Sequence, residues 1–208
     1  MKRSIWIIRH GERIDDVDEN WEKTAKNKYD PTLTENGKQQ AFKTGKRLKN
    51  ESISLIFSSP FLRCLQTAKA VADQINLEIN CEQGLSEFIN KNWFPSINDI
   101  KLELEFFQNQ NQFEKINQNY QSFITISNPE TIQEMFQRYQ NTANKIIQNY
   151  QNQNILFVTH GYGISSIVQL FMEEDFISEL DYCSICKINE SNDGNFEIEF
   201  INETSHLN

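Results

Sequence analysis

The sequence predicts a three-layer α/β/α fold on a mainly parallel central sheet, and three observations carry that reading. Ile5-Trp6-Ile7-Ile8, Leu55-Ile56-Phe57 and Ile155-Leu156-Phe157-Val158 are short, wholly apolar runs of the kind found in strands buried on both faces. Stretches of helical periodicity separate them, which implies crossover connections and hence parallel pairing. The chain of 208 residues suits one domain, 1–208, with room for an insertion.

The first strand runs into Arg9-His10-Gly11-Glu12-Arg13, and 14–29 is polar and aperiodic, as expected of a surface loop. Pro31 sets a turn, and Thr34 is a good N-cap for a helix to about Asn50 with Ala41, Phe42, Gly45 and Leu48 on its inner face. Ser58-Ser59-Pro60 ends the second strand. A helix then starts near Phe61, with Phe61, Leu62, Leu65, Ala68, Ala72 and Ile75 at helical spacing. A third strand spans Leu77 to Cys81. Residues 88–128 mix aromatics with many Asn and Gln; the aromatics argue for an ordered, partly helical insertion over the active-site end of the sheet. The longest stripe runs from Ile132 to Tyr150, with Ser127 or Asn128 as cap and Pro129 in the first turn. After Ile155–Val158 comes a helix from Gly163 to Met172. Cys183–Ile188 and Phe196–Ile201 read as two edge strands joined by a turn at Asp193-Gly194.

The formal net charge of −9 argues against nucleic acid or an anionic membrane as partner. No apolar run approaches the roughly 18 residues of a membrane span, and Ile5–Ile8 is too short for a signal peptide core. The four cysteines do not form a secreted disulfide framework, and Cys183-x-x-Cys186 lacks the second pair or histidines that a zinc site needs. A cytoplasmic protein is expected.

Two buried strands end in His-Gly: Arg9-His10-Gly11 and Thr159-His160-Gly161. In open α/β sheets ligands collect beyond the carboxyl ends of the strands. Such an end delivers an imidazole flanked by Arg9 and Arg13, and guanidinium groups match phosphate oxygens bidentately. Glycines after both histidines are expected to let a ligand approach the backbone.

Arg9-His10-Gly11, Leu33-Thr34-x-x-Gly37-x-x-Gln40-Ala41, Ser58-Ser59-Pro60-x-x-Arg63-x-x-Gln66-Thr67-Ala68, Leu85-x-Glu87 and Thr159-His160-Gly161 together resemble, in order and spacing, the histidine phosphatase superfamily of phosphoglycerate-mutase-like proteins. Arg-His-Gly-Glu-Arg is most similar to the phosphatase domain of the suppressors of T-cell-receptor signalling and the ecdysteroid-phosphate phosphatases. Asn92-Trp93-Phe94-Pro95-Ser96 loosely resembles a Trp- and Pro-containing segment of those proteins. The resemblance implies a phosphomonoesterase in which His10 is the nucleophile and forms phosphohistidine. Arg9, Arg13, Arg63 and His160 would bind the phosphoryl group, and Glu87 would serve as acid and then base. It implies no metal and no cofactor. The expected partners are a phosphorylated small molecule or phosphoprotein, and a homodimer is allowed.

Each residue also has a plainer reading. Arg13 suits a surface pair with Glu12 or Asp16, Arg63 a solvated first helical turn, Glu87 a solvated loop with Glu82 as the nearest alternative acid, and Trp93 and Phe94 ordinary packing rather than a substrate wall. Two rival functions stay open: a mutase-like phosphotransferase, and a non-catalytic module that binds phosphorylated ligands. Mutases typically follow Arg-His-Gly with Ser and Asn, where this chain has Glu12, Arg13 and Ile14, and Lys91, Lys101 and Lys115 are the insertion's few cations.

Overall fold

The computed structural model describes residues 2–94, 114–126, 129–172 and 176–208. Its centre is one six-stranded sheet in the order β3-β2-β4-β1-β5-β6. The strands are β1 (Arg3–Arg9), β2 (Leu55–Ser58), β3 (Ile79–Cys81), β4 (Ile155–Thr159), β5 (Ile185–Glu190) and β6 (Phe196–Glu203). The first four pair in parallel, while β5 and β6 run antiparallel. Only β6 of that pair lies at an edge. The expectation of two edge strands is corrected for β5, which hydrogen-bonds β1 on its other side. That position explains why Ile185, Cys186 and Ile188 are fully buried.

Helices α1 (Trp21–Thr24), α2 (Glu35–Leu48), α3 (Leu62–Ile75), α4 (Ile132–Asn149) and α5 (Gly161–Val168) complete the described fold. Two apolar layers form on opposite faces of the sheet. One joins Ile5, Ile7, Phe57 and Phe157 to α4 and α5; the other joins Trp6, Ile8, Ile56 and Val158 to α3. Alternate residues of each central strand thus serve alternate layers.

Several boundaries differ from expectation for identifiable reasons. The 14–29 segment contains a short 3-10 turn (Ile14–Asp16) and α1. Phe42 is 45% exposed, because the buried stripe of α2 runs Gly37, Ala41, Thr44, Gly45 and Leu48. Helix α4 is capped by Thr131 in a reciprocal capping box with Glu134, which leaves Pro129 outside it and Ile132 41% exposed. Ser127 and Asn128, the expected caps, lie outside the described residues. Helix α5 starts earlier than expected, at Gly161, and a 3-10 turn (Gln169–Phe171) follows it. Most of the expected insertion lies outside the described residues, so its helical content does too. Its described flanks contain turns and well-buried Ile89, Phe94, Ile116 and Tyr120. Ile116 forms a bridge beside Ile79 at the sheet edge.

The start of α2 packs directly on the segment leaving β1. A side chain on Gly37 would bring its Cβ to 2.3 Å from the Glu12 carbonyl oxygen, and one on Gly11 to 2.6 Å from that of Gly37. The glycine after His10 is therefore required by helix packing rather than by ligand access. Gly37→Ala is expected to cost roughly 2 kcal/mol of stability by overpacking, read as a lowered midpoint in denaturant unfolding.

Candidate active site

Register places the two histidines side by side. Arg9 of β1 pairs with Thr159 of β4, so His10 and His160 leave adjacent strands together. The His10 backbone N–H donates to the Thr159 carbonyl at 3.1 Å, and the two ring centroids stand 5.2 Å apart. Both side chains are buried.

A set of side chains pins the segment beyond β1. Gly11 N–H donates to Thr67 Oγ1 (3.1 Å), and Glu12 N–H donates to Gln40 Oε1 (2.9 Å). The Glu12 carboxylate accepts from Thr34 Oγ1 (2.6 Å) and Asn36 Nδ2 (3.0 Å). Gln66 Oε1 accepts from Thr32 Oγ1 and Leu33 N–H, both at 2.9 Å. The motif residues Thr34, Gln40, Gln66 and Thr67 are thus backbone staples that hold the histidine segment against α2 and α3.

His10 Nδ1 lies 2.8 Å from the Gly11 carbonyl oxygen. That contact requires Nδ1–H as donor and leaves the lone pair on Nε2. Arg63 Nε donates toward this Nε2 at 3.3 Å. Burial, then the positive charge of Arg63, holds the His10 pKa well below 6.5, so the ring is neutral.

Arg63, 1% exposed in the first turn of α3, is the hub. Its Nη2 donates to Glu87 Oε2 at 3.1 Å and stands 3.2 Å from His160 Nδ1. Its Nη1 makes no hydrogen bond among the described residues; the nearest carboxylate there is Asp30 at 3.8 Å. Asp30 also accepts from Leu62 N–H at 2.8 Å, and burial raises its pKa to about 6. It escaped sequence reasoning because an Asp before Pro reads as turn chemistry.

His160 caps α5, with Nε2 2.9 Å from Ser59 Oγ and Nδ1 3.2 Å from Glu87 Oε2. Burial lowers its pKa to about 4 despite the opposing pull of Glu87. Burial alone would raise the Glu87 carboxyl, but His160 and Arg63 outweigh it and hold the group well below its usual range.

Glu87 is aimed from α4. Buried Arg138 donates through Nη1 to the carbonyls of Gly84 (2.8 Å) and Ser86 (3.0 Å), and through Nη2 to that of Glu87 (3.2 Å). Thr159 Oγ1 donates to the Leu85 carbonyl at 2.9 Å. The periodicity of α4 marked it only as core, so Arg138 gave no separate signal. Glu82, the alternative acid, is engaged elsewhere: it accepts from Tyr120 OH (2.6 Å), Phe123 N–H (2.8 Å) and Gly84 N–H (2.9 Å).

Arg9 donates through Nη1 to the Leu180 carbonyl, and its guanidinium carbon lies 4.1 Å from the Tyr182 ring centroid. Its buried Nε has no partner among the described residues. Arg13 is differently placed. It donates to Asp15 (3.0 and 2.8 Å) and Asp16 (3.2 Å), as its plainer reading expected with respect to Asp16, yet it also lines the mouth beside Glu87. Two cavities, of about 690 and 500 Å³, meet at Arg13, Glu87 and Trp93. Trp93 is half exposed on their shared wall. Phe94 is 6% exposed, packed between Tyr29 and Phe61, so it forms the floor of the smaller cavity more than a wall.

Among the described residues, His10, Glu87 and His160 bring donor atoms within 4.8 Å of one another, as a metal site would. Arg63 contacts all three, and its fixed positive charge opposes a cation there and favours an anion. The geometry is that of an anion cradle beside a neutral imidazole.

The model of the histidine phosphatase superfamily (branch 1) matches residues 5–204. An uncharacterised phosphatase, PhoE, of Bacillus subtilis is 26% identical over 166 residues, which are 79% of this chain and 75% of that protein. A probable phosphoglycerate mutase, GpmB, of Erwinia tasmaniensis is 24% identical over 98% of this chain and 94% of its own length. Among solved structures, the ecdysone phosphate phosphatase of Bombyx mori in complex with tungstate superposes with a TM-score of 0.77. Its identity is 21%, covering 95% of this chain and 92% of that one.

Proposed function

The chain belongs to the histidine phosphatase superfamily, and from that premise we propose that it hydrolyses phosphate monoesters through a phosphohistidine on His10. The observation that carries the proposal is the His10 ring itself: neutral, fixed by the Gly11 carbonyl, with its Nε2 lone pair facing the buried fork of Arg63. In the first step His10 Nε2 attacks phosphorus in line, the ester P–O bond breaks, and Glu87 protonates the departing oxygen. In the second, Glu87 takes a proton from water as the water oxygen attacks phosphorus and the N–P bond breaks. Orthophosphate leaves and neutral His10 returns. Arg9 Nε and Arg63 Nη1, buried donors without hydrogen bonds among the described residues, are suited to equatorial phosphoryl oxygens, with His160 beside them. Arg13 joins when the ester draws it from Asp15 and Asp16.

Glu87 is ionised in the free protein, so it must gain its proton as substrate binds. An arriving anionic ester competes for Arg63 and repels the carboxylate, and both effects raise its pKa. Glu87→Gln is therefore expected to lower kcat/KM, which reports only the steps up to phosphohistidine, by about 10²- to 10³-fold for alkyl phosphates but by less than about tenfold for a nitrophenyl phosphate. The latter's leaving group departs without a proton. Equal losses on both substrates would remove Glu87 from the acid role.

The substrate reading is an aromatic or apolar phosphate ester, such as phosphotyrosine, free or on a protein, supported by half-exposed Trp93 on the wall shared by both cavities. A mutase needs cations for a second anionic group. Arg13 is held by two aspartates, and Lys28 is the one lysine among the described residues that line the two cavities. Steady-state rates with phosphotyrosine, phosphoserine, 3-phosphoglycerate and fructose bisphosphate test this, and a preference for the last two would reverse it. A homodimer and a cytoplasmic location remain part of the proposal, to be read from sedimentation and from localisation of the tagged protein. Among the described residues no helix is long and apolar enough to cross a membrane.

A further inference from the structure

We propose that Tyr182 is a specificity-determining residue that places the leaving group of the substrate in the larger cavity and favours aryl over alkyl esters. The inference rests on the phosphomonoesterase reading of the site and adds to it a residue that no motif marks.

Tyr182 ends the segment that leads into β5. At Cys183 the backbone takes a left-handed turn (φ 55°), and its N–H donates to the His10 carbonyl at 3.2 Å. Just before it, Asp181 is clasped by Asn202 of β6 through bonds of 2.9 and 2.8 Å. Held on both sides, the Tyr182 ring lies with its centroid 4.1 Å from the Arg9 guanidinium carbon and 5.6 Å from the His10 ring centroid. Its hydroxyl donates to Asp16. The ring thus touches the nucleophile and a phosphate-binding arginine while also lining the cavity of about 690 Å³.

That cavity has the character of an aryl slot. Trp93, Tyr162 and Tyr182 line it together with Ile177, while Glu179, Asp181 and Glu87 outnumber Arg9 and Arg13 there, which disfavours a second anionic group. The smaller cavity has Tyr29 at its wall, but Lys28 lies over that ring and Arg63 also lines the space, so it is the more cationic of the two. Arg9 over Tyr182 also polarises that ring by a cation–π contact, which orients it as a rigid wall.

The test compares kcat/KM for phenyl phosphate and for propyl phosphate in the wild type and in Tyr182→Ala, Tyr182→Phe and Tyr29→Leu. The intrinsic reactivity of each ester cancels when the aryl-to-alkyl ratio of a variant is divided by that of the wild type. Tyr182→Ala is expected to lower the ratio about tenfold, the scale of one aromatic contact. Tyr182→Phe, which keeps the ring and loses only the bond to Asp16, should stay within about twofold, as should Tyr29→Leu. An equal loss on both esters in Tyr182→Ala, or a ratio that falls in Tyr29→Leu instead, would overturn the assignment while leaving the phosphatase reading intact. A wild-type protein inert toward both esters would overturn that reading, and this assignment with it.

Discussion

His10→Ala is expected to reduce release of orthophosphate from an aryl phosphate by at least about 10⁴-fold, with the fold retained. Alanine removes the ring's contacts with the Gly11 carbonyl and Arg63 Nε but keeps the backbone pairing: Gly11 N–H still reaches Thr67, and the His10 backbone still pairs with Thr159 and Cys183. The loss would therefore be chemical rather than a failure to fold, which an unchanged circular dichroism spectrum and a retained cooperative unfolding transition would establish. Quenching the wild type in alkaline detergent with labelled substrate should trap phosphate on the protein, base-stable and acid-labile as a phosphoramidate is; the variant should trap none. If wild type and variant turned over at the same rate, the chain would be a phospho-ligand module rather than an enzyme.

The same residue sets an expected pH dependence. Burial and Arg63 depress the His10 pKa below 6.5, so protonation, which removes the nucleophilic lone pair, begins only as pH falls well below that value. The nucleophile thus stays available below the pH at which an ordinary histidine protonates, and the acidic limb of kcat/KM assigned to it lies below that range. Once the titration of the substrate itself is allowed for, a limb centred at 6.5 in kcat/KM would contradict the depressed value, because that ratio reports the free protein.

Arg63→Ala is the second large effect, about 10³-fold in kcat/KM or more. Arg63 is the one described side chain in contact with His10, Glu87 and His160 together, and its Nη1 fork faces Asp30. Its removal takes away phosphoryl charge stabilisation and leaves Glu87 and Asp30 buried without their cation, so both carboxyls rise in pKa. Arg63→Lys keeps the charge and loses the planar fork; about 10²-fold of the loss should persist. Competitive inhibition by tungstate, an analogue of the phosphoryl group, should weaken in parallel in both variants. An Arg63→Ala enzyme with wild-type tungstate affinity would place the anion elsewhere.

Much of this site was legible because strand ends announce themselves. Apolar runs stopped by Arg-His-Gly and Thr-His-Gly marked two carboxyl ends, and parallel pairing brought them together. Arg63 and Glu87 were reached through motif spacing, since neither a helix-turn arginine nor a loop carboxylate has a local pattern of its own. The structure changed the meaning of other motif residues. Thr34, Gln40, Gln66 and Thr67 hold backbone, and Gly11 and Gly37 allow two backbones to meet. Asp30, Arg138 and Tyr182 stayed hidden. Each acts across a gap in sequence, Arg138 reaching carbonyls more than 50 residues away and Tyr182 an arginine 173 positions earlier.

By itself, then, the sequence determined the layers, the mainly parallel pairing and the identity of the imidazoles, because hydrophobic period and turn chemistry are local properties of the chain. Only the tertiary structure decided which side chain faces which. Burial set His10 neutral, and Arg63 rather than Arg13 became the hub because the first turn of α3 points into the sheet's carboxyl end while Arg13 finds Asp15 and Asp16 first. Protonation states and ion-pair choices follow from distances and from the exclusion of water, and those exist only once the chain has folded.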